Sequence, residues 1–232
     1  MDLEVFGHVQ SDIGTIYLGR REAPARAAAE WINEIYIDGD LLMSDSNPVS
    51  ERRLASSALA THPGEGLRVL VGGLGLGHTA EAALQSPRVA SVRVVEKLGP
   101  VIDWMREGKL PLSAQFAADA RLQIVQGDIY DDLLGPASAQ YDLILVDVDH
   151  SPRRRLSEAS ATFYERPGQR RVASHLRPGG TLAVWSAEDD DDFMDVMADV
   201  YRDAHREDVR WHDAAVCDET IHNVLFFGRD PA

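Results

Sequence analysis

Leu67-Arg68-Val69-Leu70-Val71-Gly72-Gly73-Leu74-Gly75-Leu76-Gly77-His78-Thr79-Ala80 decides how the rest of the chain is read. A short run that is apolar almost throughout reads as a strand covered on both faces, which is the habit of parallel sheets. The glycines after it make a tight strand-to-helix turn whose bare backbone lets a ligand approach. From Thr79 to Leu84 the pattern is that of a helix. A dinucleotide fingerprint G-x-G-x-x-G beginning at Gly73 requires Gly or Ala at position 78, where His78 stands. The frame is G-x-G-x-G, which disfavours a nicotinamide oxidoreductase while keeping a nucleoside-type ligand.

Working outward, further apolar runs occur at Val92–Val95, Leu122–Val125, Leu143–Val146, Thr181–Trp185 and Val224–Phe227. Helix-period segments separate them. Leu98, Val101, Ile102 and Met105 share one face, as do Phe193, Val196, Met197 and Val200. Pro167 is expected to open a helix that stops before Arg177-Pro178-Gly179-Gly180. Val209–Val216 and Ile221–Gly228 read as a closing antiparallel pair. Ahead of the glycine loop, Val5, Val9, Ile13, Ile16 and Leu18 around Ser11-Asp12 and Gly14 predict a hairpin. Asp38-Gly39 predicts a second one, with Ser50 as the cap of a following helix. The fold class is therefore α/β: a Rossmann-like, doubly wound, mostly parallel sheet with a terminal antiparallel pair, preceded by a small β-rich extension. The boundary is expected near residue 60, giving units 1–60 and 61–232.

Composition narrows the function classes. The 232 residues are 44% hydrophobic and 26% charged, ordinary for a folded chain. Lys plus Arg total 23 against 38 for Asp plus Glu, a formal charge of −15 that disfavours nucleic acid and favours a cationic small-molecule partner through steering. The single cysteine, Cys217, has no partner for an internal disulfide, and no signal sequence or long apolar run is present. The expectation is a cytoplasmic protein with no membrane contact. Exposed apolar residues in the N-terminal strands are compatible with a homodimer.

Two acids follow successive strands. Glu96 ends the second apolar run, placed to accept hydrogen bonds from ribose hydroxyls, and Asp128 follows the third, where an adenine amino group is held. With these in place the chain reaches a family. Val69–Gly77, Val94-Val95-Glu96, Gly127-Asp128, Tyr141–Asp147, Phe163-Tyr164 and Leu176–Gly180, in that order, resemble spermidine synthases and their bacterial relatives. The resemblance covers about 30 to 228. It implies the class I S-adenosylmethionine-dependent methyltransferase fold. It also implies a donor, S-adenosylmethionine or its decarboxylated form, held by Gly73, Gly75, Gly77, Glu96, Lys97, Asp128 and Ile129, with Asp147 beside the reacting sulfonium.

The departures bear on the reaction. The family's loop aspartate, which holds the donor's primary amine, aligns with Leu76, an apolar residue with no hydrogen-bonding capacity. Its Tyr-His-Glu/Asp stretch is reduced to Val49-Ser50-Glu51, and its Asp-x-x-Asp-Pro motif reads Asp147-Val148-Asp149-His150-Ser151-Pro152. Asp147 and Asp149 are the candidate catalytic acids, and Glu51, His150 and Tyr164 the candidate acceptor-site residues. Three nearly adjacent positions rarely converge on one metal, so no metal is expected. Arg153-Arg154-Arg155 reads as a solvated run paired with surface acids, Glu188–Asp192 as the acidic start of a helix, and Trp104 and Met105 as core. With Leu76 as the deciding residue, the sequence favours methyl transfer to a small, amine-type acceptor. The alternatives are aminopropyl transfer from the decarboxylated donor and a non-catalytic nucleoside-binding relative.

Overall fold

The computed structural model describes residues 3–11, 14–25, 30–213 and 218–231. Asp12, Ile13, Val216 and Cys217, which entered the expectations above, lie outside the described residues. The first elements are β1 (Glu4–Ser11), β2 (Gly14–Glu22), β3 (Trp31–Ile37) and β4 (Asp40–Ser44), an antiparallel sheet in sequential order. The Asp38-Gly39 turn joins β3 to β4 with both residues at positive φ, as a two-residue hairpin demands. Then come α1 (Val49–Thr61), β5 (Leu67–Gly72), α2 (His78–Leu84), β6 (Val89–Glu96), α3 (Gly99–Arg106), α4 (Ser113–Ala118), β7 (Leu122–Gln126) and α5 (Ile129–Leu134). The chain closes with β8 (Tyr141–Val146), a 3-10 turn (Glu158–Tyr164), α6 (Arg166–Ser174), β9 (Leu176–Ser186), α7 (Asp191–Val200), β10 (Tyr201–Asp213) and β11 (Glu219–Pro231). The large sheet runs β10-β11-β9-β8-β5-β6-β7, parallel except for the antiparallel β11 and β10 at one edge. The α/β architecture expected from the alternation of apolar runs is the one found.

Strand alternation sorts the core into two layers. On one face Val69, Val71, Leu143, Leu145 and Ala183 pack with α1, α2, α3 and the small sheet; on the other Leu70, Ile144, Val146, Leu182 and Val184 pack with α5, α6 and α7. Every residue of β8 is buried, so the strand that ends at Asp147 is the most enclosed in the sheet. Each buried Leu, Ile or Val contributes about 1.5–3 kcal/mol relative to exposure. The small sheet is not a free appendage: its Ile16, Leu18 and Ile35 belong to the first layer. Its Leu3, Val5, Trp31 and Leu41 remain exposed.

One local expectation is corrected. Ser50 does not cap α1: Pro48 takes the cap position, and Ser50 lies inside the helix donating from Oγ to Glu51 Oε2 at 2.8 Å. The helix opened by Pro167 ends at Ser174, before Arg177 as expected; Pro178-Gly179-Gly180 lies within β9, where Gly179 has φ 77° and the pairing with β8 shifts register. A Cβ at Gly180 would meet the Tyr141 and Asp142 carbonyls at 3.2 and 3.1 Å, so its glycine serves close strand approach. Finally, α1 packs on α2 and on the large sheet, so the small sheet closes at Ser44 and the helix before residue 60 is part of the larger layer.

Trp104 of α3 packs against the small sheet within the first layer. It is 3% exposed, and a Cβ at Gly7 of β1 would lie 2.8 Å from its Cε2. Trp104→Ala is expected to lower stability by about 3–5 kcal/mol in urea unfolding, because the cavity opens between α3 and the small sheet. A loss below about 1 kcal/mol would show that the small sheet holds without it.

Candidate functional site

The carboxyl ends of β5, β6, β7 and β8 surround a cavity of about 440 Å³. The first wall is the glycine loop. Gly73, Gly75 and Gly77 have φ of 92°, 52° and 99°, so every second residue of the loop adopts a conformation that side chains resist. A Cβ at Gly73 would lie 2.3 Å from the Asp147 carbonyl oxygen, and one at Gly77 2.8 Å from the Phe116 ring. Between them Leu74 and Leu76 turn inward, each 4% exposed, and anchor the loop in the core. The loop is tied to its neighbours by Gly73 N–H on Val95 O and Asp147 N–H on Gly72 O, both 2.9 Å.

Glu96 ends β6 at 7% exposure. Its Oε2 accepts from Leu74 N–H at 2.8 Å and its Oε1 from Leu98 N–H at 2.7 Å. Burial pushes its pKa up against these backbone donors. The residue lines the cavity. Asp128 caps α5 through Tyr130 N–H at 2.9 Å and pairs with Lys97 Nζ at 2.9 Å. Lys97, Asp128 and Ile129 all line the cavity. The glycine backbone, the strand-end carboxylate and Ile129 together fit an adenosyl group.

Asp147 and Glu51 come together beside the glycine loop. Register places Val146 beside Val184, so Asp147 and Trp185 leave β8 and β9 side by side on the face covered by α1. Thr79, second in α2, donates from Oγ1 to Asp147 Oδ2 at 2.7 Å and reaches the Glu51 carbonyl at 3.5 Å. It thus holds α1 against the end of β8. Both carboxylates are half-buried and line the cavity. Burial pushes Asp147 up to about 6 against the Thr79 hydrogen bond. Burial and the Asp147 charge together push Glu51 up to about 7. Among the described residues neither forms an ion pair; the adjacent Arg52 is drawn off to Glu81 at 3.0 Å.

Asp149 is placed differently from its neighbour. It accepts from Tyr130 OH at 2.7 Å, Ser160 Oγ at 3.0 Å, Tyr164 OH at 3.1 Å and Leu156 N–H at 2.7 Å. Three of these contacts converge on Oδ2 and one falls on Oδ1, so Asp149 is held within the 147–164 segment that it organises. Tyr164 serves that network; it is 8% exposed and lies behind the cavity wall. The two tyrosines are held neutral by burial and by the Asp149 charge. His150 lines the cavity and accepts from Ala187 N–H at 2.8 Å through its carbonyl. His78 also lines it; burial pushes its pKa down to about 4, and both ring nitrogens lack hydrogen-bond partners among the described residues.

Sequence reading missed Thr79, Trp185 and the contribution of the small sheet, Ile37, Leu42 and Met43, to the cavity. Parallel register would have found Trp185, since it stands beside Asp147; nothing local marks the other four. The arginine run and the acidic stretch are structural: Arg153 pairs with Asp190 and Asp192, Arg154 with Glu188, and Asp190 caps α7 through Phe193 N–H. Among the described residues no group of three or more His, Cys, Asp or Glu is placed to hold a metal, and no helix is long and apolar enough to cross a membrane.

No protein-family model and no curated protein matches the sequence. Solved structures match its fold. A spermidine synthase in complex with the transition-state analogue AdoDATO superposes with a TM-score of 0.75 at 17% identity, covering 97% of this chain and 73% of that one. The spermidine synthase from Thermotoga maritima gives 0.72 at 16% identity, with 97% and 72% covered. The resemblance read in the sequence therefore holds for the fold over nearly the whole chain, small sheet included.

The raised Glu51 fixes a sign. A carboxyl whose folded pKa is about 7 against an ordinary 4.5 holds its proton longer in the folded state, so its contribution to stability is full below pH 4.5 and lost as pH rises through about 7. Glu51→Gln is expected to gain on the native chain by on the order of 2 kcal/mol between pH 5 and 8 in urea unfolding. A pH-independent difference would show that Glu51 titrates normally.

Proposed function

We propose that this chain transfers an aminopropyl group from decarboxylated S-adenosylmethionine to a small amine. The observation that carries the reading is the recessed pair Glu51 and Asp147, two cavity-lining carboxylates that form no ion pair among the described residues, beside the glycine loop. Such a pair is built to receive ammonium groups. The likeness in fold to a spermidine synthase that binds AdoDATO supports the same direction.

In this reading Glu96 accepts from the ribose hydroxyls, the Gly73–Gly77 backbone leaves room for the donor chain, and Ile129 packs on the adenine. The bound donor supplies a sulfonium whose adjacent carbon accepts the amine's lone pair while the C–S bond breaks and its electron pair stays on sulfur, leaving a neutral thioether. Everything else falls to the protein. Glu51 holds the donor's primary ammonium, the task that Leu76 gives up. Asp147, with Oδ2 occupied by Thr79, presents Oδ1 to the acceptor and takes the proton that an ammonium must shed to become a nucleophile. A base raised to about 6 is better matched to that proton than an ordinary aspartate. Asp149 keeps the loop after β8 in place through its four donors.

Leu76 favours a second reading, methyl transfer from intact S-adenosylmethionine to an amine, because no acid stands on the loop itself. Calorimetry with the two donors and NAD, followed by mass spectrometry of the products, separates them. The decarboxylated donor is expected to bind more tightly than the intact one, and an aminopropylated amine to form. Tighter binding of the intact donor with a methylated product would establish the second reading, and nucleoside binding without turnover of either donor a non-catalytic one. Asp147→Asn is expected to keep donor affinity and to lower single-turnover transfer by roughly 10²–10⁴ across pH 6 to 9. A variant as fast as the native chain would leave Asp147 a structural strand end.

A further inference from the structure

The acceptor end of the cavity is short of acids. Five carboxylates line the whole cavity: Glu51, Glu96, Asp128, Asp147 and Asp149. Glu96 is bonded by Leu74 and Leu98 N–H on the nucleoside side, Asp128 is spent on Lys97 and the start of α5, and Asp149 has four donors of its own. That leaves Glu51 and Asp147, which Thr79 brings to one place. Beside them the wall carries Trp185, in register next to Asp147, and Leu156 on the loop after β8, while Ile37, Leu42 and Met43 come from β3 and β4, with Met43 Sδ 3.1 Å from where a Cβ of Gly75 would stand. The polar residues among them, Ser44, His150 and Ser157, carry no carboxylate.

A linear diamine holds its two ammonium groups several ångströms apart. With Glu51 engaged by the donor's amine and Asp147 by the reacting nitrogen, its far ammonium would lie against that apolar wall, desolvated and without a counter-charge. An apolar or aromatic body there gains contact area on Leu156 and the Trp185 indole.

We propose that the acceptor is a primary monoamine with an apolar or aromatic body, and that Leu156 and Trp185 select against a second ammonium. The selection rests on the transfer reading above, in which Asp147 receives the acceptor nitrogen. The step balances as before: Asp147 takes one proton from the ammonium, the nitrogen lone pair forms the new C–N bond, and the C–S electron pair leaves with the thioether.

The test is equilibrium binding, without turnover. The full chain is loaded with 5′-methylthioadenosine, the thioether left after aminopropyl transfer, and titrated at pH 8 with 2-phenylethylamine, n-hexylamine and 1,4-diaminobutane. Both monoamines are expected to bind at least about tenfold more tightly than the diamine. Leu156→Glu places an acid on a residue that is 53% exposed, where the fold tolerates it, and is expected to reduce that preference severalfold by improving the diamine. A diamine that binds the native chain as tightly as the monoamines overturns the inference and leaves the transfer reading standing. An unchanged preference in Leu156→Glu overturns the role given to the wall. Failure of the thioether itself to bind overturns the transfer reading, and this inference with it.

Discussion

One buried carboxylate sets the geometry of everything at the open end of the sheet. Glu96 holds the N–H of Leu74 with one oxygen and that of Leu98 with the other, so the glycine loop after β5 and the entry to α3 are fastened to the end of β6 by a single side chain. The loop needs the fastening. With glycines at every second position it gives up more conformational freedom on folding than other segments of its length, and its only large side chains, Leu74 and Leu76, are used to anchor it from below. Once fixed, Gly73 lies against the Asp147 carbonyl closely enough to exclude any side chain, and that contact couples the nucleoside wall to the acid at the end of β8.

The same order of dependence explains what the sequence disclosed. Strand ends were legible because apolar runs stop abruptly in polar or glycine residues, so the chain alone places Gly73, Glu96, Asp128 and Asp147 just at or after strand ends. Glu51 came only from a resemblance, since its meaning depends on Thr79 bringing α1 to β8, a contact between segments far apart in sequence. Ser50 was misread because a serine near a helix start is usually a cap, but Pro48 takes that place and the hydroxyl turns to Glu51. Pro178-Gly179-Gly180 was read as a helix stop because its local chemistry fits one; the β8 backbone it passes is what requires the glycine. The cavity wall drawn from Leu42, Met43 and Ile37 was illegible, because nothing in those strands signals which layer they cover.

Asp147 and Asp149 show how environment divides identical side chains. They are two residues apart on one loop, and both stood as candidate catalytic acids. Strand alternation sends Asp147 to the face of α1, where Thr79 is its one hydrogen-bond donor, while Asp149 turns into the aromatic cluster of Tyr130, Phe163 and Tyr164 and collects four. A carboxylate held by several donors inside an aromatic cluster is a fixture; one with a free oxygen facing a cavity, and a pKa lifted by burial, is available for proton transfer.

The surplus of acid over base in this chain is spent unevenly. At the surface Arg153, Arg154 and Arg206 are each matched to acids around the start of α7, and exposed pairs of that kind contribute little. At Glu51 and Asp147 no match is made, and the folded state carries the cost of two recessed carboxylates whose charges oppose each other. A cation that enters relieves both the repulsion and the desolvation, so its binding must stabilise the fold by the same free energy with which the site draws it in. An acidic surface raises the local concentration of any amine, but by a long-range field that treats one amine much like another. Discrimination has to come from the few residues that surround the pair. There the physical argument is one of omission: where the wall offers no further acid, each additional positive charge on a ligand costs more than it gains.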